Sequence, residues 1–182
     1  MSATDFLSSS SYFAAVVRAL KKLGRYDEVL KQVTVARRLL ENPHAESWWG
    51  GEASIDVTTA MHRVGGIALV REVGREAVTE SMSVIVRPLL SVLTAVSGTT
   101  PGTVFNRFGQ LSLAAVKNVA FTWTPKGDHE GTLVIAYPIE VPPVYEHYWL
   151  GAFDYVWALT RRAGRATATH QGGTITFQLS WD

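Results

Sequence analysis

The side chains best suited to bind a partner are aromatic and are concentrated between residues 144 and 162. Spaced at helical intervals, they give a helix that is apolar on nearly every side, which must therefore be covered on more than one side. Such a helix is either core, buried between a sheet and a helical layer, or the wall of an apolar ligand pocket or dimer interface. Tyrosine and tryptophan suit a pocket because each offers an apolar body with one polar group. The candidate ligand-binding residues are Tyr137, Tyr148, Trp149, Phe153, Tyr155, Trp157 and Phe105.

The sequence contains histidines and acids that could serve metal or acid–base chemistry, but their spacing matches no known metal-binding or catalytic motif. No two of the five histidines lie three or four residues apart, so the helical zinc motif is missing. Asp128-His129-Glu130 is the densest group, and it falls in a predicted hairpin turn, where a solvated polar turn is the simpler interpretation. His62 lies on a partly apolar helix, where a packed histidine is commoner than a haem or metal ligand. We expect no metal site.

Catalytic signatures are missing too. The chain has no cysteine, phosphate-binding loop, dinucleotide glycine fingerprint or G-x-S-x-G elbow. Nothing in the sequence marks an enzyme, and we expect a non-enzymatic protein.

Composition sets the class of molecule. The chain has 182 residues, 47% of them hydrophobic and 18% charged, which suits one globular domain over residues 1–182. The net charge of +1 provides no overall field for nucleic acid. We expect no transmembrane segment and no signal peptide, and therefore a cytoplasmic location.

The first 117 residues show helical periodicity. After the Ser8–Ser11 run, a first helix should extend to Leu23 and stop at Gly24. Further helices are predicted at about 27–41, at 55–73 with Gly65-Gly66 producing close packing or a kink, at 75–96 with a break near Pro88, and from Thr100-Pro101 to about 111. Trp48-Trp49-Gly50-Gly51 is predicted to be a loop whose tryptophans either plug the core or form a contact surface.

Residues 118–182 show a period of two, interrupted by the aromatic helix. Two strands flank the polar turn at 125–131, and two more flank Gly172-Gly173, so each pair should form an antiparallel hairpin. The predicted class is therefore α+β, with a helical N-terminal half of about five helices followed by a β-β-α-β-β antiparallel four-stranded sheet.

This order resembles one superfamily, on the strength of Gly131–Tyr137, Tyr148-Trp149-Leu150-Gly151 and Gly173–Trp181. This superfamily contains the haem–nitric-oxide/oxygen-binding (H-NOX) domains, the 4-vinyl-reductase-type small-molecule-binding domains and the small transport-particle subunits. The likeness is strongest to uncharacterised myxobacterial domains of about this length, and so to a bacterial protein. It implies an intracellular sensing or adaptor domain, often dimeric, with an apolar cavity between helices and sheet.

One departure from the resembled pattern concerns the cofactor. The haem-binding members carry tyrosine, serine and arginine at alternate positions after the second strand of the sheet. Here Tyr137 is followed by Ile139 and Val141, so no arginine is present there to pair with haem propionates. We therefore expect no cofactor, and haem in particular is disfavoured.

The expected function is a regulatory or sensor domain that binds an apolar small molecule. The alternative is an adaptor or scaffold subunit that uses the same aromatic surface to bind a partner protein. Either form is expected to be a homodimer.

Overall fold

A computed structural model describes residues 5–82 and 100–182. In chain order its elements are β1 (Leu7–Ser9), α1 (Ser10–Lys22), α2 (Tyr26–Gln32), α3 (Arg37–Glu41), a 3-10 turn (Pro43–Ala45), β2 (Trp48–Gly50), α4 (Gly51–Met82), α5 (Pro101–Asn106), α6 (Phe108–Ser112), β3 (Val116–Lys117), β4 (Ala120–Pro125), β5 (Glu130–Ala136), α7 (Tyr145–Thr160), β6 (Gly164–Gln171) and β7 (Thr174–Trp181). The predicted α+β class, with helices first and a sheet interrupted by one helix afterwards, is confirmed.

The first helix begins and ends where the sequence predicted. The Ser9 hydroxyl accepts a hydrogen bond from the Tyr12 backbone N–H at 3.2 Å, which caps α1. Gly24 follows the helix with a positive φ of 68°, a conformation that favours glycine.

The prediction of a single helix over residues 27–41 is wrong. The chain is extended at Val33 and divides into α2 and α3. The Asp56 carboxylate, on α4, accepts the backbone N–H groups of Thr34 and Val35 at 2.8 Å and of Ala36 at 2.9 Å. Because these donors are satisfied from another element, the helix need not continue through them.

The loop predicted at 48–51 is also wrong, since Trp48–Gly50 forms β2. This strand pairs antiparallel with β1, and β1 pairs antiparallel with β3, giving a three-stranded sheet in the order β2-β1-β3. Trp49 is buried and donates its indole N–H to the Pro43 carbonyl at 2.9 Å. Trp49 therefore plugs the core, one of the two roles considered for the pair.

The longest helix, α4, kinks as its paired glycines predicted. Gly65 and Gly66 have non-helical backbone angles, and Gly66 has a φ of 64°. The expected stop between residues 73 and 75 is absent, and the helix continues through Gly74. The predicted continuation to residue 96, with Pro88, lies outside the described residues.

Thr100 and Pro101 start a helix as predicted, but that helix is shorter than expected. The Thr100 hydroxyl accepts the Thr103 backbone N–H at 3.2 Å. The helix breaks at Arg107, so the expected single helix is two short ones, α5 and α6. Their buried residues still include Val104, Phe105 and Phe108.

The larger sheet has the order β4-β5-β7-β6, with every neighbouring pair antiparallel. Leu133 lies opposite Phe177, and Ile135 opposite Ile175. All four side chains are buried, whereas Gln178 and Ser180, at alternate positions farther along β7, are exposed. One face of the sheet is thus core, as the period of two predicted.

Two apolar clusters form the core, and α7 contributes to both. Tyr148 belongs to the cluster formed mainly by α1 to α4, while Tyr145, Phe153 and Val156 belong to the cluster formed mainly with the sheet. This position explains why α7 is apolar nearly all round. None of the helices in residues 5–82 and 100–182 is both long and apolar enough to cross a bilayer.

Candidate ligand-binding site

A cavity of about 120 Å³ lies where β1, α1, α4, α5, α6 and α7 meet. Its lining is apolar and aromatic, with hydroxyl groups from serines, a threonine and tyrosines. The described lining residues are Phe6, Ser8, Tyr12, Ser54, Thr58, Ala77, Val78, Ser81, Val104, Phe108, Leu111, Ser112, Ala115, Val116, Tyr137, Tyr145, Tyr148, Trp149, Ala152, Tyr155 and Val156. Because both apolar clusters border it, a molecule held there would contact the helical part and the sheet part together.

Four of the seven predicted site residues line this cavity: Tyr137, Tyr148, Trp149 and Tyr155. The other three lie outside its described lining. Phe105 packs against Phe153 and Trp157, with ring centroids 5.4 Å apart in each pair. The ligand-binding role of all seven remains a prediction.

Sequence reasoning missed several residues that the fold brings to the cavity, among them Phe6, Tyr12, Ser54, Thr58 and Tyr145. Tyr145 carried a signal, since it lies on the same predicted face as Tyr148. The others carried none, because helical periodicity shows only that a position is buried.

A tyrosine, a tryptophan and a second tyrosine are held together on one side of the cavity. Trp149 donates its indole N–H to the Tyr137 hydroxyl at 2.8 Å. The Tyr137 and Tyr145 rings meet edge to face, with centroids 5.6 Å apart. These contacts fix the three side chains, and they give the Tyr137 hydroxyl a hydrogen-bond donor.

Two hydroxyls in the lining lack hydrogen bonds. The buried oxygens of Tyr145 and Tyr148 have no partner among the described residues. The Tyr145 hydroxyl lies near Ser54 and Thr58, and that of Tyr148 lies near Tyr12, close enough to lower each pKa. Neither approach has the geometry of a hydrogen bond, so both groups remain available to a ligand or a water molecule.

The described lining of the site is uncharged at neutral pH. Burial raises the pKa of Tyr145 and Tyr148 well above the ordinary tyrosine value, and the pKa of Tyr12 and Tyr137 is raised by burial in the same way. All four hydroxyls therefore keep their protons. The described lining contains no lysine, arginine, aspartate, glutamate or histidine.

The candidate chemical residues considered from sequence lie elsewhere. His62 is exposed on α4, and Asp128, His129 and Glu130 are exposed at the turn between β4 and β5. Within residues 5–82 and 100–182, no three histidine, aspartate or glutamate side chains are grouped so that they could hold a metal ion.

No protein-family model matches the sequence, and no curated protein matches it. Solved structures do match the fold. An Fe(II) unliganded H-NOX protein from K. algicida superposes with a TM-score of 0.67 at 9% identity, covering 96% of each chain. An oxygen-binding H-NOX domain related to soluble guanylate cyclases gives 0.59 at 11% identity, covering 93% of this chain and 92% of the other. A structure from a study of haem distortion in the H-NOX family gives 0.62 at 11% identity, with coverages of 96% and 95%.

These matches show that the chain has the fold of H-NOX domains, as the resemblance implied. The resemblance to 4-vinyl-reductase-type domains, transport-particle subunits and myxobacterial domains stays a prediction. The expectation that no cofactor is involved is wrong for this fold, because the matching solved structures include haem proteins.

Only part of what haem requires is found among the described residues. The aromatic walls suit a porphyrin, and tyrosine oxygen is a known iron ligand. No histidine, cysteine or arginine lies in the described lining, and residues 83–99 contain no histidine, cysteine or methionine. The cavity of about 120 Å³ is smaller than the roughly 300–1,000 Å³ of pockets that hold drug-sized molecules. The described part of the cavity therefore does not fit haem, either in its volume or in its ligands.

Proposed function

We propose that this chain is a non-enzymatic sensor domain that binds an uncharged apolar small molecule in the cavity. The observation that carries the proposal is the cavity itself, enclosed by aromatic side chains and bordered by both apolar clusters. An apolar molecule that leaves water for such a site gains its hydrophobic transfer free energy.

The position of the cavity suits sensing. Its lining draws on α1 and α4 through Tyr12, Ser54 and Thr58, and on α7 through Tyr145 and Tyr148. A ligand that fits better in one arrangement of these helices than in another would shift the balance between the two arrangements. Among the described lining residues there is no aspartate, glutamate, histidine or lysine to act as an acid or base, which supports a binding role over catalysis. The adaptor alternative and the homodimer remain predictions.

Binding can be tested directly. Native mass spectrometry of the freshly purified protein should show a bound small molecule, or added apolar compounds should raise the melting temperature with concentration. The Ala152→Leu variant adds bulk to a cavity-lining position and should weaken binding. Ala158→Leu, at an exposed position of the same helix, is the matched control.

The proposal fails if no compound binds, or if Ala152→Leu binds as tightly as the unaltered protein. Circular dichroism of both variants separates loss of binding from loss of folding.

A further inference from the structure

We infer that the ligand is a molecule about the size of benzene or phenol that carries an uncharged oxygen, which hydrogen-bonds to a buried tyrosine hydroxyl, that of Tyr145 or that of Tyr148. This inference rests on the proposed function and adds the chemical class of the ligand.

The size follows from the volume. The cavity measures about 120 Å³, and an engineered protein cavity of about 150 Å³ lined by apolar side chains binds benzene or xenon. A six-membered ring with a small substituent therefore matches this volume.

The oxygen follows from the two unpaired hydroxyls. Tyr145 and Tyr148 are each only 5% exposed, and neither hydroxyl has a hydrogen-bond partner among the described residues. A buried hydroxyl without a partner is unfavourable, because it has given up its hydrogen bonds to water and gained none. A purely apolar ligand would leave both unpaired and would exclude the water that could otherwise serve them. A ligand oxygen removes that cost.

Neighbouring side chains are already engaged elsewhere. The Thr58 hydroxyl donates to the Ser54 backbone carbonyl at 2.9 Å, and the Tyr137 hydroxyl accepts from Trp149. Among the described lining residues, the buried hydroxyls without a hydrogen-bond partner are those of Tyr145 and Tyr148.

The ligand should also be neutral. The described lining provides no cation for a carboxylate or phosphate and no anion for an amine. Because an isolated buried charge is strongly unfavourable, an ionised ligand would be rejected. Phenols, small ketones and aldehydes of one ring meet the size, oxygen and charge requirements together.

Phenol and toluene test this inference, because they have nearly the same shape and differ by a hydroxyl in place of a methyl group. Isothermal titration calorimetry on the full chain should show phenol binding about tenfold more tightly than toluene, which corresponds to one satisfied buried hydrogen bond. Tyr145→Phe and Tyr148→Phe, measured separately, should identify the partner: at least one of them should reduce this ratio while leaving toluene binding equal or stronger. Tyr26→Phe is the matched control, because the Tyr26 hydroxyl donates to the Leu40 carbonyl, and neither residue lies in the described lining.

The outcomes separate the two claims. Equal binding of phenol and toluene, or a ratio unchanged in both tyrosine variants, overturns the inference while the proposed function stands. If neither probe binds, and no other apolar compound does, the proposed function fails with it. Circular dichroism of each variant confirms that the fold is retained.

Discussion

Gly151 of α7 lies directly against the backbone carbonyl of Arg71 in α4, leaving no room for a β-carbon. Gly74 of α4 lies in the same way against the backbone carbonyl of Tyr148. Each helix therefore contributes one glycine where the two backbones meet. Beside this crossing, the Arg71 guanidinium donates two hydrogen bonds of 2.7 Å to the Asp154 carboxylate. The crossing fixes the position of Tyr148 in the cavity wall.

A methyl group at this crossing should push the two helices apart. We expect Gly151→Ala and Gly74→Ala each to lower the free energy of unfolding by about 1–3 kcal/mol, because the clash is with backbone that cannot rotate away. The higher helix propensity of alanine, worth up to about 1 kcal/mol, offsets only part of this. Urea denaturation followed by circular dichroism measures the change.

Gly127→Ala is the control for this pair, since a β-carbon there meets only the Glu130 side chain, at 3.7 Å or more. It should change stability by less than about 0.5 kcal/mol. If the crossing variants were as stable as this control, the close packing of α4 on α7 would be refuted.

The Asp56 carboxylate should act as a cap for α3 supplied from another helix. Replacing it with alanine leaves the Thr34, Val35 and Ala36 backbone N–H groups without their acceptor. The expected cost is about 1–2 kcal/mol, in the range of lost helix caps, since part of this region is open to water. Asp56→Asn, which keeps an acceptor oxygen, should lower the free energy of unfolding less than Asp56→Ala at neutral pH. If Asp56→Ala were as stable as the unaltered chain, the capping role would be contradicted.

Acid should remove the contribution of Asp56. Burial opposes ionisation of this carboxyl, but the hydrogen bonds from Ala36, Val35 and Thr34 outweigh burial and lower its pKa. A lowered folded-state pKa contributes stability above the unfolded value of about 3.9, and the contribution is lost as pH falls through the folded value. Stability measured from about pH 5 downward should therefore fall less steeply in Asp56→Asn than in the unaltered chain.

Local patterns predicted the elements that depend on neighbours in sequence. The two hairpins and α7 were found because strand alternation, turn residues and helical spacing are each visible within about ten residues. The β1-β2-β3 sheet was not found, because its three strands have only two or three residues each and come from distant parts of the chain. The break between α2 and α3 was missed for a similar reason, since its cause is Asp56, about twenty residues later.

The site was predictable only as a region. Aromatic density marked α7, and four of the named residues do line the cavity. Phe153 and Trp157 are also aromatic and also lie at helical spacing on α7, but they pack against Phe105 in the core. A void is a property of how side chains fill space, so residue types alone cannot distinguish a cavity wall from a filled core.

Alkaline pH should destabilise the fold through the buried tyrosines. Burial raises the pKa of Tyr145 and Tyr148 above the unfolded value of about 10, so the folded chain keeps protons that the unfolded chain loses. The stability that these groups contribute is fully present below about pH 10 and is lost as pH rises toward their folded values. Urea denaturation from about pH 8 to about pH 11 should show stability falling above about pH 10. Tyr148→Phe should make that fall shallower, and the Tyr145→Phe/Tyr148→Phe double variant should make it shallower still. If the double variant had the same slope as the unaltered chain, these two hydroxyls would not be held protonated by burial, and the neutral hydrogen-bonding cavity would lose its physical basis.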